Sequence, residues 1–178
     1  MYFTVPAYFA NMAPIVMKKL FKGLAKPIDN GRLYKGEFLF GKTKTWRGFI
    51  FAIIFGIGIA YVQRLLYVYQ VPFYYSISIT DYSSWLLIGF LLGTGAIIGD
   101  LAESYFKRRL KLKSGQKFIP FDQTDFVIGA YIFILPVFHL VTDFNYLTLF
   151  ITTILVSFFL HIVTNHLSYY LKIRKSKW

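Results

Sequence analysis

The chain has 178 residues, 56% of them hydrophobic and 21% aromatic, and carries 20 Lys and Arg against 8 Asp and Glu, a formal net charge of +12. So apolar a composition excludes an ordinary soluble domain, in which about a quarter of residues are charged, and it equally excludes disorder, which goes with few apolar and aromatic residues. No cysteine is present, so disulfide frameworks, zinc-thiolate sites, iron–sulfur clusters and Cys nucleophiles drop out.

Crossing a hydrocarbon core takes about 20 apolar helical residues. Five stretches qualify in chain order: Tyr2 to Met17, Gly48 to Tyr69 with Arg64 inside it, Trp85 to Gly99, Phe126 to Thr142, and Tyr146 to Leu171. The first has no basic n-region and no small-residue cleavage site, which predicts a retained span and not a signal peptide. The third and fourth are short, which predicts that each continues as helix into its polar flank. The expected fold is an all-α integral membrane protein of about five transmembrane helices. Residues 1–178 form one transmembrane domain, with cytoplasmic loops at about 18–47 and 104–121.

Basic residues fall in three blocks: nine from Lys18 to Arg47, six from Lys107 to Lys117, and four from Lys172 to Lys177. Five spans put all three on one face, which the positive-inside rule makes cytoplasmic, with the N-terminus outside and the C-terminus in the cytoplasm. Four spans would split the blocks between the two faces. The C-terminal cluster reads as an orientation signal with attraction to anionic lipid. Six of the eight acids (Asp29, Glu37, Asp100, Glu103, Asp122 and Asp125) stand beside the basic blocks, and orientation alone has little use for them.

Starting at Trp85 and rising 1.5 Å per residue, the third helix has covered only ~22 Å at Asp100, short of a ~30 Å core. A carboxylate at that depth is costly unless it faces protein, water or an ion. On a continuing helix Asp100, Glu103, Ser104 and Lys107 share one face; the plainer alternative is a Glu103–Lys107 surface pair. After Pro120, Asp122 and Asp125 fall in the first turn of the fourth span. The helix dipole favours one such acid, whereas two repel unless a cation lies between them. Hard oxygen donors of this kind suit Mg²⁺, with Asp100, Asp122 and Asp125 as its candidate ligands.

Between Gly41 and Gly48, the residues Lys42, Thr43, Lys44, Thr45 and Arg47 stand at a helix N-terminus. They can cradle a polyphosphate or bind lipid headgroups as a basic juxtamembrane turn. The spacing is not that of a Walker A loop. Trp46 reads as an interfacial anchor. Asn11 beside Pro14 marks either an unwound ligand-facing segment or a helix kink. His161 and Asn165 share a face suited to interhelical hydrogen bonding. His139 and Asp143 are remote from the acids, and no Ser/His/Asp triad presents itself.

The run Gly99-Asp100-Leu101-x-Glu103-Ser104-x-x-Lys107-Arg108, a Lys-rich turn, Pro120 and Asp122-x-x-Asp125 resembles the signature of phosphatidate cytidylyltransferases, the CDP-diacylglycerol synthases. Lys42-Thr43-Lys44-Thr45-x-Arg47-Gly48 is similar to their upstream basic segment. Two departures stand out: Phe121 directly follows Pro120 where those enzymes carry a glycine-rich stretch, and Gln123 replaces an arginine. The compact chain with Asn11 and Pro14 is closer to the CDP-archaeol synthases, the archaeal counterpart.

The resemblance implies a membrane CTP-dependent cytidylyltransferase that converts an unsaturated isoprenoid ether-lipid phosphate to CDP-archaeol and releases pyrophosphate in phospholipid biosynthesis. It further implies catalytic roles for Asp100, Asp122, Asp125, Glu103 and Lys107, with Mg²⁺ as cofactor. CTP would be bound by Asn11, Lys42, Lys44, Thr45, Arg47 and Gly48, and the lipid phosphate or pyrophosphate by Arg108, Lys113 and Ser104. The expected partners are CTP, the lipid phosphate and the bilayer; a homodimer is allowed. Nucleic acid is disfavoured because the basic residues track topology. Two other readings remain at the level of sequence: a CTP-dependent polyprenol or dolichol-type kinase, and a small ion-coupled transporter. The transporter is the weaker of the two, since its ligands belong near the midplane in repeated broken helices.

Overall fold

A computed structural model describes residues 1–34, 36–112, 116 and 118–170, with the side chains of 165 and 167–170 outside the description. Lys113, Lys117 and the C-terminal basic cluster named above therefore lie outside the described residues.

The described chain is mostly helical. After a 3-10 turn, α1 (Val5–Val16) leads through two further 3-10 turns, Met17–Lys19 and Lys22–Leu24, into an extended segment. That segment carries a minimal hairpin, β1 (Leu33–Tyr34) against β2 (Glu37–Phe38), paired Leu33 to Phe38 and Tyr34 to Glu37. Then come α2 (Trp46–Val68), the short α3 (Pro72–Ser76), α4 (Trp85–Arg109), α5 (Phe121–Ile134), α6 (Phe138–Val141) and α7 (Tyr146–Tyr170). Among the described residues, four helical stretches are long and apolar enough to cross a membrane: Trp46–Val68, Trp85–Arg109, Phe121–Val141 and Tyr146–Thr164. Helices serve here because lipid offers no partner for an unpaired backbone N–H or C=O.

Helix α1, of 12 residues, is too short for that criterion by itself, although 3-10 turns at Tyr2–Thr4 and Met17–Lys19 extend its helical path. It stays helical through Pro14 to Val16. The anticipated continuation of the third and fourth spans is present: α4 runs ten residues past Gly99, and α5 starts at Phe121, five residues before the apolar stretch. Residues 104–109 are accordingly helix, not loop. The path α5 to α6 tightens into a 3-10 turn at Leu135–Val137, where Pro136 offers no N–H to an α-helical ladder.

Helix α4 is the central element, packed against α1, α2 and α5. Small residues set those contacts. A Cβ on Gly56 would lie 2.6 Å from the Gly89 carbonyl oxygen, and one on Gly95 would lie 2.5 Å from that of Gly129. A Cβ on Gly99 would overlap the Asp125 carbonyl oxygen. Close backbone approach of this kind is how helices associate where lipid removes the hydrophobic drive between them. Helix α7 is the outermost. It is tied to α5 by Tyr131 and Thr153, whose hydroxyl oxygens are 2.9 Å apart, and to α1 by Tyr8 and Ser157 at 2.8 Å. Leu147, Ile151, Leu155, Phe159 and Val163 form an exposed apolar stripe on α7 with i, i+4 spacing, the face that suits lipid.

Candidate active site

Three features bring distant residues to one end of the bundle. The first is the segment before α2. Asp29 is buried, and its carboxylate accepts the N–H groups of Gly31 (3.0 Å), Phe40 (3.1 Å) and Gly41 (3.3 Å). Burial works to raise its pKa, but the bonds from Phe40, Gly31 and Gly41 outweigh that and hold the carboxyl below its usual value. The neighbouring strand-like stretch pairs backbone to backbone: Ile28 N–H to Lys44 C=O at 2.9 Å and Trp46 N–H to Lys26 C=O at 3.0 Å. Gly41 has φ +99°, and a Cβ there would lie 3.2 Å from Arg108 Nε; only glycine satisfies both conditions. The turn presenting Lys42, Thr43 and Lys44 is therefore held rigidly over α4.

The second feature is the start of α2. Thr45 is its N-cap, extended, with Oγ1 accepting the Gly48 N–H at 3.3 Å. Arg47 is buried and donates to the Leu20 carbonyl at 2.9 Å, and its Nε finds no partner among the described residues.

The third is the end of α4, which closes with Lys111 in the left-handed region (φ 59°), Leu112 N–H on the Lys107 carbonyl at 2.9 Å and Lys111 N–H on the Arg108 carbonyl at 3.1 Å. That is a Schellman motif, and it turns the chain back over the helix. Arg108 then reaches the Leu112 carbonyl. Arg109 donates to the carbonyls of Tyr34 (2.7 Å) and Phe38 (2.8 Å) and lies over the Tyr34 and Tyr105 rings, fastening the hairpin to α4.

One carboxylate oxygen each from Asp100, Glu103 and Asp125 lies within 4.8 Å of the others. Asp100 is ion-paired with Lys44 (Nζ to Oδ1, 2.5 Å) and Glu103 with Lys107 (2.7 Å). Lys107 also pairs with Asp122, whose other oxygen accepts the Phe118 N–H at 2.7 Å. These acids line a polar cavity of about 180 Å³ with Asn11, Thr43, Ser104 and Arg108. On one side it adjoins a basin of about 570 Å³ walled by Asn11, Lys18, Lys42, Thr45, Arg47 and Gly48. On the other, Glu103 and Asp125 form the polar end of an apolar groove of about 630 Å³ between α4 and α5, lined by Phe106, Phe121, Ile128 and Ile132 among others. The acids thus sit where a cationic basin meets an apolar groove. An all-oxygen set of two aspartates and one glutamate fits Mg²⁺ and not a thiophilic metal.

The chain matches the family described as CarS-like, CDP-archaeol synthase, over residues 1–178. It belongs to the CDP-archaeol synthase family. CDP-archaeol synthases from Pyrococcus furiosus and Methanosarcina mazei are 36% and 33% identical to it, with 99% and 98% of this chain and 95% and 99% of those chains covered. The one from Thermococcus onnurineus is 40% identical over 137 residues, covering 76% of this chain and 73% of its own. A solved structure described as an intramembrane enzyme for archaeal membrane lipids biosynthesis superposes with a TM-score of 0.70 at 24% identity, covering 92% of this chain and 90% of that one. Together with the four apolar helices this makes the chain a multi-pass membrane protein.

Within this member of the CDP-archaeol synthase family, the structure gathers Asn11, Lys42, Lys44, Thr45, Arg47, Gly48, Asp100, Glu103, Ser104, Lys107, Arg108, Asp122 and Asp125 around the two adjoining polar cavities. Among the described residues Glu103, not Asp122, completes the oxygen cluster with Asp100 and Asp125, while Asp122 adjoins it by sharing Lys107 with Glu103 and accepts the Phe118 N–H. Trp46 is exposed, as an interfacial ring would be, and His139 is exposed away from the acids. His161 stacks obliquely on Phe126, 6.2 Å between centroids, while the Asn165 side chain lies outside the description. Two further residues, Asp29 and Arg109, organise the site without belonging to any of its motifs. Asp29 carried a turn signal in Asp29-Asn30-Gly31; Arg109 carried none beyond its charge, because its partners are hairpin carbonyls 71 and 75 residues away.

Proposed function

We infer from family membership and site geometry that the protein is a nucleotidyltransferase of ether-lipid biosynthesis. It transfers the cytidylyl group of CTP to an unsaturated isoprenoid ether-lipid phosphate, forming CDP-archaeol and pyrophosphate. The observation that carries this reading is the position of Asp100, Glu103 and Asp125 between a basin lined by Lys42, Thr45 and Arg47 and an apolar groove.

The lipid phosphate is the nucleophile. A phosphate monoester has a second pKa of about 6 and is largely dianionic near neutral pH, so no strong base is needed. Lys42, Lys44 and Arg47 receive the triphosphate, and the Thr45 hydroxyl, whose oxygen caps α2, retains its proton for donation. Asn11 stands where basin and acid cavity join. Lys107 and Arg108, with Ser104 beside them, meet the lipid phosphate or the departing pyrophosphate, and Lys113 belongs to the same proposal. The groove along Phe106, Ile128 and Ile132 takes the isoprenoid chains. Asp100 and Asp125, with Glu103 or Asp122 as the third acid, would hold Mg²⁺. When bound, the ion supplies charge neutralisation between the two phosphate groups. A phosphate oxygen of the lipid forms a bond to the α-phosphorus as the bond to the β-phosphate oxygen breaks, and the cations around the basin stabilise the charge that leaves.

The proposed topology keeps the helical path of α1 as a fifth span, with the N-terminus outside and the site at the cytoplasmic face, where the basic blocks gather. The deciding experiment incubates purified protein with Mg²⁺, an isoprenoid ether-lipid phosphate and CTP labelled at the α-phosphorus. Label in the organic phase with release of pyrophosphate is the expected result. Lipid labelled only from the γ position would make the protein a kinase, and no transfer from either position would overturn both.

A further inference from the structure

The cation expected to meet a phosphate and the acid expected to hold a metal are already bound to each other. Lys44 Nζ lies 2.5 Å from Asp100 Oδ1, with the two side chains 20% and 19% exposed. Asp100 supplies one of the three clustered carboxylate oxygens, and Lys44 lines both the acid cavity and the basin beside it.

We propose that Lys44 is a resident counter-ion that makes nucleotide and divalent cation bind as one unit. It occupies Asp100 until a triphosphate draws it off, so a bare divalent cation meets an ammonium at its ligand, and a bare nucleotide leaves Asp100 uncompensated beside its phosphates. The proposal rests on the cytidylyltransferase reading for the identity of the nucleotide.

The geometry allows such an exchange without movement of the loop. The Lys44 carbonyl accepts Ile28 N–H at 2.9 Å, its N–H reaches the Gly41 carbonyl at 3.1 Å, and Trp46 N–H is bonded to Lys26 C=O at 3.0 Å. Asp29 holds the Phe40 and Gly41 N–H groups one turn earlier. With the backbone fixed, the free element is the four-carbon stem, a flexible carrier for a compact charge with three donors. Glu103 is likewise held by a lysine, but Lys107 sits on the same helix and is shared with Asp122. Among the described residues, Lys44 is the loop cation ion-paired with an acid of α4. Two ligands that each relieve the other's cost bind with positive coupling, and that coupling is reciprocal.

The test is Mn²⁺ binding to the purified full chain in detergent, followed by the paramagnetic resonance of free Mn²⁺, with and without a CTP analogue bridged by methylene between its α and β phosphorus atoms. Lys44→Gln and Lys44→Met are expected to bind Mn²⁺ alone about tenfold more tightly than the wild type, and the analogue to tighten it by a correspondingly smaller factor. Lys44→Arg keeps the charge and is expected to bind Mn²⁺ alone as weakly as the wild type. Asp100→Asn added to each background should remove the gain, which assigns it to this site. Melting temperatures confirm that the variants fold, and two neutral variants guard against the loss of either. If the neutral variants bind Mn²⁺ alone no better than the wild type while the wild type binds and turns over nucleotide, the counter-ion proposal is overturned and the cytidylyltransferase reading stands. If the wild type binds neither analogue nor Mn²⁺ in any combination, both fall.

Discussion

Asp100 and Asp29 do opposite kinds of work with the same functional group. Asp100 is buried to about four-fifths of its side chain on a membrane helix and faces one lysine; removing its charge while keeping its shape tests its proposed role. Asp100→Asn is expected to lower transfer of α-label from CTP to lipid by about three orders of magnitude while leaving the yield of inserted protein unchanged. Asp29 accepts three backbone N–H groups and is held below its usual pKa. A carboxylate with a depressed folded-state pKa contributes stability above its unfolded pKa, about 4, and loses that contribution as pH falls through the folded value. Thermal melts in detergent should therefore show the wild type losing stability below about pH 4, and Asp29→Asn melting lower at neutral pH with a flatter acid limb.

At the scale of elements, the site depends on how closely α4 and α5 approach. Gly99 packs directly on the Asp125 carbonyl, one residue before Asp100, so the glycine contact and the acid pair are consecutive positions on α4 and share Asp125 on α5. Gly99→Ala is expected to separate Asp125 from Asp100, so that more Mg²⁺ is needed for half-maximal transfer and activity falls by at least tenfold. A Cβ added to Gly58 on α2 would meet nothing within 4 Å, and Gly58→Ala should retain activity and gain up to about 1 kcal/mol of helix propensity. Titrating Mg²⁺ in both variants checks the contrast. The continuation of α4 and α5 into their polar flanks was legible in the sequence because the apolar stretches were too short to end at the first charge. The hairpin was not, since β1 and β2 have two residues each, too few for any periodicity, and they stay in place through Arg109.

For the molecule as a whole, the absence of cysteine makes topology directly measurable. Single cysteines replacing Lys22, Gln70 and Lys111 are to be tested with a membrane-impermeant maleimide on sealed cells. Only the variant at Gln70, in the segment between α2 and α3, is expected to label. Labelling at Lys22 or Lys111 would reverse the proposed orientation. Composition and the spacing of charge determined by themselves that this chain is a helical membrane protein with acids and bases crowded at one end, because the cost of a charge in lipid leaves few places for it. Local spacing likewise put Asp100, Glu103 and Lys107 on one helix face. Only the tertiary structure decided which carboxylates meet: Glu103 joined Asp100 and Asp125, while Asp122 shares Lys107 with Glu103 and takes the Phe118 N–H. It also decided that Lys44, 56 residues before Asp100, pairs with it. The reason is physical: helical periodicity fixes neighbours within one element, whereas contacts between elements follow from where small residues let backbones touch, and that is known only once the helices are packed.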